Sequence, residues 1–459
     1  MPRPGIASDR DNDPPGDRES DFDVAIIGGG SASEALLREL DGTGTSVVMF
    51  EPHLVGGECP FFACIPSKGL LHDVRTGRTW DEAVARRDEL VNHLDDSEHR
   101  EDARGLGATI VSATATITGP NTLDADGAQY TAAAIVIAIG AEVVIPDIDG
   151  LDTLGDRMWT SEDALTAHVR PQRLAIIGGG VIGSEIAQMY SGLGSEVTMV
   201  DSSPRPADDL HPEVGRLIAE SHERAGITAI YGAQVAACER TEHGVRVELA
   251  DGRNVEADIA LVAIGRKPDL SRLGLDVLGL DHDDLEVDHA GRITGTGSLW
   301  VMGDAAGRQQ YTHVANRHAA VVANHLTGDG SRSYDEAVVP ACIFIDPPVF
   351  VIGDTYDDLS DDGDVVWSET SVRVPRFSTD ELPDGFVALA GRRSTNTIVA
   401  AHGIGPRFDE LSHALVIAID GAVPIDVLQR TIQPFPTIGE ILDVAFDALA
   451  DALAATTDD

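Results

Sequence analysis

Lysine is almost missing from this chain. Of 459 residues only Lys68 and Lys267 are lysine, and every other basic side chain is arginine. Both basic types together number 33 against 77 acidic residues, a formal net charge of -44. Such an imbalance excludes nucleic-acid and anionic-membrane partners, because either polyanion would be repelled over most of the surface. Long apolar runs are absent as well. Stretches such as 174–177 and 259–264 are strand-sized, far below the ~20 residues of a membrane span. The first twenty residues lack the apolar core of a secretory signal. They read as a disordered acidic leader over 1–20, and the protein as cytoplasmic.

What is present points to a folded protein of several domains. Hydrophobic residues make up 42% of the chain, so the acidity is not that of an enlarged disordered tail. By length, two to four domains with sizeable cores are expected. An acidic, lysine-poor composition resembles that of proteins from salt-accumulating haloarchaea. At ~1 M salt the Debye length is about 3 Å, which screens the self-repulsion such a chain suffers in dilute buffer. A requirement for molar salt is therefore expected.

Two segments repeat one design. DVAIIGGGSASEALLREL leads to SVVMFE, which ends at Glu51, and LAIIGGGVIGSEIAQMYSGLG leads to SEVTMVD, which ends at Asp201. Each has an apolar β-branched run, a glycine cluster, an amphipathic helix and a second apolar strand closed by a carboxylate. The acid follows the first glycine at the same distance in both. This is the βαβ dinucleotide-binding unit, and every position has a reason. Gly28 and Gly178 allow the tight turn, and Gly30 and Gly180 let the backbone approach a pyrophosphate at the helix N-terminus. Gly183 allows close helix–strand packing, and Ser33 takes that place in the first copy. Glu51 and Asp201 would accept hydrogen bonds from ribose hydroxyls. Two copies in the right strand context make a far stronger signal than one glycine motif.

Between the first unit and the next helix lies GGECPFFACIPSKGLL, in which Cys59 and Cys64 flank four residues. In a reducing compartment so close a pair reads as redox-active and not as a structural staple. A helix start beside it would favour the thiolate form. Zinc is the competing reading, but it needs two more Cys or His ligands at matching spacing, and no metal site is expected. Cys238 and Cys342 sit in apolar contexts and read as small core residues. The run 356–364 reads as a solvated acidic turn, with the wrong spacing for a calcium loop.

With these motifs in place, the chain resembles the FAD-dependent pyridine nucleotide–disulfide oxidoreductases, among them dihydrolipoamide dehydrogenase, glutathione reductase and mercuric reductase. CPFFACIPSK carries the most specific likeness, being similar to the redox-disulfide motif of that family. The resemblance implies an α/β fold of two doubly wound Rossmann-type domains plus a C-terminal α+β dimerisation domain, and a homodimer. It places an FAD domain at 21–150, an NAD(P) domain at 151–284, a return to the FAD domain at 285–335 and the dimerisation domain at 336–459. Cys59 would be the interchange thiol and Cys64 the thiol against the flavin. Lys68 would sit near the reactive flavin nitrogen, paired with Glu185. Gly28, Gly30, Ser33, Glu51, Ala115, Gly140, Asp304 and His313 would line the FAD site, Ile139 standing where the family has threonine. Gly178, Gly180, Gly183, Glu185, Asp201 and Gly265 would line the nicotinamide nucleotide. Asp201 would repel a 2′-phosphate, which favours NAD(H) over NADP(H), with Arg205 as the residue that could offset it.

One position departs from the family. Its C-terminal signature carries a histidine that moves protons for the substrate thiols. Here the matching segment runs from Phe435 to Glu440, and Phe435 holds the histidine position while Glu440 keeps that of the catalytic acid. A positioned acid–base group is typically worth 10²–10⁴ in rate, so lipoamide turnover by the usual route is in doubt while flavin reduction is not. No cysteine follows Cys342, against the metal-passing pair of mercuric reductase. The expected acceptor is a small-molecule or protein disulfide. A reductase of quinones, dyes or oxygen, and a non-catalytic redox sensor, stay open as alternatives.

Overall fold

The computed structural model describes residues 20–334 and 338–455. Most of the 1–20 leader lies outside them. The first glycine unit builds a seven-stranded sheet whose parallel part places Phe22–Ile27 between Val47–Phe50 and Ala128–Ile137. Ile26 stands opposite both Met49 and Val136. Strands covered on both faces read as continuous apolar runs, which is why FDVAII and VVMF lack polar alternation. Successive side chains divide between two cores: Val24, Ile26 and Met49 face one, and Ala25, Ile27, Val48 and Phe50 the other.

A second parallel sheet orders Thr228–Ile230, Glu196–Val200, Arg173–Ile177, Ile259–Val262 and Met158–Trp159. A short antiparallel ribbon, Glu142–Val143 against Arg266–Lys267, links the two units. The strand Leu299–Val301 then returns to the first sheet beside Ala128–Ile137. Leu270, Leu273 and Leu275 already pack on Ile117 and Leu123 of the first unit, because that sheet's antiparallel meander leaves an apolar face to cover.

The C-terminal part is a five-stranded antiparallel sheet, Pro340–Ile343, Val349–Gly353, Thr397–Ile404, Gly385–Arg392 and Val365–Val372 in spatial order. Helices Phe408–Asp420 and Glu440–Ala454 pack on it through Phe408, Leu415, Ile441 and Leu449. The run 356–364 is not simply a turn. Thr355 and Asp358 form a capping box that starts a short helix, Tyr356–Ser360. Among the described residues no cluster of His, Cys, Asp and Glu is arranged to hold a metal ion, and no helix is long and apolar enough to cross a membrane.

Candidate active site

A cleft of about 2250 Å³ opens where the three units meet, and both glycine loops line it. At the first loop Gly28 has φ +103°, and a Cβ there would fall 2.3 Å from the Ala138 carbonyl oxygen. The second loop repeats this, with Gly178 at φ +106° and a Cβ position 2.4 Å from the Ala263 oxygen. Gly30 and Gly180 are the N-caps of the helices that follow, so free N–H groups point into the cleft. Glu51 accepts from Gly29 N–H at 2.8 Å and from His53 N–H at 2.7 Å. Asp201 accepts from the Gly179 N–H and, at 2.7 Å, from Ser203 N–H. The two carboxylates are thus held against their loops in the same way, each beside a cradle that any Cβ would fill. These residues fit two dinucleotides.

The two copies differ at one position. At Gly183 a Cβ would lie 2.0 Å from the Gly178 carbonyl oxygen. The corresponding Ser33 is fully buried and turns the contact into a hydrogen bond, its hydroxyl donating to Gly28 O at 2.7 Å.

The cysteines stand between the loops. Cys59 lies in the short helix Glu58–Phe61, and Cys64 is the first residue of the helix Cys64–Arg75. Both are half-buried thiols. The Thr312 hydroxyl donates to Cys59 Sγ at 3.3 Å and lies 3.6 Å from Cys64 Sγ. A hydrogen bond from Cys59 holds the Cys64 thiol down near 6 in spite of its burial, with help from Thr312 and the Lys68 charge. The same shared proton, with burial, pushes the Cys59 thiol up. The coupling within the pair thus favours the charge on Cys64 and the proton on Cys59.

One turn along the second helix, Lys68 Nζ meets Glu185 Oε2 at 2.8 Å. Glu185 is buried, and its other oxygen accepts from Phe344 N–H at 2.9 Å. The Phe344 ring lies 4.7 Å from Lys68 Nζ, a cation–π distance. Phe344 belongs to the third unit, and no spacing in the sequence points to it. Cys342 was expected in the core. It is half-buried, packing against the edge of the third unit's core while also lining the cleft, where Asp409, Glu185, Lys68 and Ser412 act on it. Its place on the strand at the rim of the third sheet explains this, and burial keeps its thiol protonated, near 11.

Ala115, Gly140, Gly265, Asp304 and His313 also line the cleft. Burial raises the Asp304 carboxyl. His313 stacks on Tyr311 and donates from Nε2 to the Pro340 carbonyl at 2.8 Å, which ties the start of the helix Thr312–Thr327 to the third sheet. Glu440 is not brought to this cleft in its own chain. It accepts from Thr437 N–H at 3.2 Å and so closes the entry to the last helix.

Comparison with known proteins shows which family this chain resembles. The pyridine nucleotide-disulphide oxidoreductase family matches residues 22–319, and the dimerisation domain of that family matches residues 339–446. The chain belongs to the pyridine nucleotide-disulphide oxidoreductases. It is an enzyme of a family that uses FAD and NAD(P)H. A mercuric reductase of Streptomyces lividans is 30% identical over 94% of this chain and 97% of its own length. A dihydrolipoyl dehydrogenase of Haloferax volcanii is 28% identical, covering 95% and 98%. A glutathione reductase of Burkholderia cepacia is 28% identical, covering 92% and 97%. Among solved structures, the HOCl-induced flavoprotein disulfide reductase of Escherichia coli, seen as a Cu(II) complex, superposes with a TM-score of 0.86. That match is 26% identical over 93% of this oxidoreductase and 99% of the other.

Proposed function

We propose that this oxidoreductase is a homodimer that takes reducing equivalents from NADH and delivers two electrons, through Cys59 and Cys64, to a disulfide or comparable acceptor. The observation that carries this reading is the placement of both sulfurs in the one cleft lined by both glycine loops, with the thiolate favoured on Cys64. FAD, when bound, would supply the hydride-accepting chemistry that no side chain offers. The chain's own residues do the rest. The Gly28–Gly30 loop and Glu51 would hold FAD, and the Gly178–Gly183 loop and Asp201 the nicotinamide nucleotide. Glu185 and Phe344 fix the Lys68 ammonium one turn along the helix that Cys64 starts. On the family pattern, Cys59 is the thiol that meets the acceptor.

The preference for NADH rests on Asp201 and on where Arg205 goes. The Arg205 guanidinium is occupied by the carbonyls of Ala207, Asp208 and Leu210. It is therefore withheld from a ribose 2′-phosphate, and Asp201 repels one. Dimer formation is supported by the match of residues 339–446 to the dimerisation domain of the family, and that third unit leaves the large apolar side chains Ile417, Ile432 and Phe435 exposed. On the family pattern Phe435 would reach the partner's cleft in place of a proton carrier, which narrows the acceptors to those that do not depend on one.

The deciding experiment is an NADH-oxidation screen in molar KCl against small disulfides, lipoamide and quinones, with Cys59→Ser beside the wild type. Disulfide turnover lost in Cys59→Ser supports the reading. Turnover kept by Cys59→Ser moves the enzyme to the quinone, dye or oxygen reductases. No turnover with any acceptor, together with a protein partner recovered by pull-down, would make it a redox sensor.

A further inference from the structure

Cys59 faces two hydroxyls, each at a helix start. Thr312 is the first residue of the helix Thr312–Thr327, and Ser31 is the first of Ser31–Leu40. The Thr312 hydroxyl donates to Cys59 Sγ at 3.3 Å, and the Ser31 hydroxyl also favours the Cys59 thiolate. Both helices turn their positive ends toward this sulfur, which favours negative charge there. Opposing them are burial and the proton shared with Cys64. Cys64 in turn faces Thr312, Lys68 and Glu185. A nucleophilic thiol needs something to take or offset its proton, and the C-terminal signature of this chain has Phe435 where the family has a histidine.

We propose that Thr312 is a further catalytic residue, whose hydroxyl makes Cys59 a nucleophile in the absence of that histidine. The inference rests on the disulfide-reductase reading above. The reduced pair holds one proton between its sulfurs. When that proton crosses from Cys59 to Cys64, the Thr312 O–H already points at the thiolate left behind, and its oxygen lies 3.6 Å from Cys64, within reach of the new S–H. The Cys59 sulfur then bonds to one sulfur of the acceptor disulfide, whose S–S bond breaks and releases a thiolate. Cys64 next attacks the Cys59 sulfur. The bond from Cys59 to the acceptor breaks, and the second acceptor sulfur leaves with the proton given up by Cys64. Two electrons pass from the pair to the acceptor, which ends as one thiol and one thiolate, and the pair ends as a disulfide.

The test is competitive alkylation of the phosphine-reduced holoenzyme with iodoacetamide across pH, with modification at Cys59 and Cys64 counted separately by mass spectrometry. Thr312→Val keeps the shape and removes the donor, and Thr312→Ser keeps the donor. Loss of a hydrogen bond to a thiolate should slow Cys59 alkylation about tenfold and move its titration up by about one pH unit. Thr312→Ser should restore both. A Thr312→Val profile that superimposes on wild type overturns the inference, as does a Thr312→Ser profile equal to that of Thr312→Val, which would make the methyl group the operative part. If Thr312→Val fails to fold, Thr312→Ala takes its place with the same expected slowing, and a wild-type profile from it overturns the inference equally. A wild type whose Cys59 reacts in this Thr312-dependent way yet reduces no disulfide would sink the functional reading and leave the Thr312–Cys59 contact standing.

Discussion

Gly183→Ala separates the two proposed nucleotide sites by a single methyl group. Its Cβ would fall 2.0 Å from the Gly178 carbonyl oxygen, and that oxygen is backbone, with no flexible side chain to swing away. Ordinary contact needs at least about 3.5 Å, so the helix Val181–Gly192 must move off the strand Arg173–Ile177 by an ångström or more. Overpacking of this kind typically costs about 1–3 kcal/mol, which for a unit of this size lowers its melting transition by several degrees. The functional loss should exceed the stability loss, because the displaced helix start carries the N–H groups that would hold the pyrophosphate. Displacements near 1 Å can cost about 10²-fold in a positioned site. NADH KM should therefore rise at least about tenfold while the purified variant keeps its full flavin content. The control is Ser33→Ala at the matching position. It loses only the hydrogen bond to Gly28 O, about 1 kcal/mol, and no clash arises. Steady-state kinetics with NADH, flavin absorbance per chain and calorimetry read these quantities. A Gly183→Ala enzyme with unchanged NADH KM, or one that loses flavin as readily as NADH affinity, would refute the reasoning.

Three further outcomes are expected. Asp201→Asn removes the charge that repels a 2′-phosphate, so the ratio of kcat/KM for NADPH over NADH should rise about tenfold. It should still favour NADH because Arg205 stays on its three carbonyls, and an unchanged ratio would contradict the charge argument. His402 is fully buried, accepts from His211 N–H on Nδ1 at 3.1 Å and faces Asp354 O with Nε2 at 3.3 Å. A second proton would thus meet an N–H, and burial holds its titration near 4 against 6.5 when exposed. The unfolded chain binds the extra proton first, so stability falls as pH drops from about 6.5 toward 4, by up to roughly 3 kcal/mol for this histidine. Urea midpoints of His402→Gln should fall less steeply over that window, and equal slopes would count against it. Finally, 77 acidic residues against 33 basic ones predict that raising KCl from about 0.1 M to above 1 M, which shortens the Debye length from about 10 Å to 3 Å, raises the melting temperature. A melting temperature indifferent to KCl would remove the halophilic reading.

Much of the site was legible because its signals are local. The turn at Gly28, the carboxylate at Glu51 and the pair Cys59–Cys64 each depend on backbone geometry within one βαβ unit or one loop, and that geometry recurs wherever the residue types and spacing recur. Even the packing role of Gly183 follows from the unit alone. The sequence also named Lys68 and Glu185, although their meeting joins two distant segments.

What only the tertiary structure decided is which distant groups converge on those motifs. Thr312 stands 253 positions from the cysteine it touches, and Phe344 is 159 from the Glu185 it holds. Neither belongs to a periodic or spaced pattern that a reader of the sequence could extend. Cys342 looked like core because its neighbours are apolar, yet its strand lies at the rim of the third sheet and opens on the cleft. Arg205 stood close enough to Asp201 to suggest a phosphate contact, until the fold of 205–210 bent three carbonyls onto its guanidinium. Glu440 kept its family position and took up a local bond to Thr437. Residue identity and spacing thus determined the chemistry available to this protein, since glycine turns, thiols and carboxylates act through short-range geometry. Where each hydrogen bond and charge is spent depends on elements far apart in the chain, and that was settled only when the three units closed on one cleft.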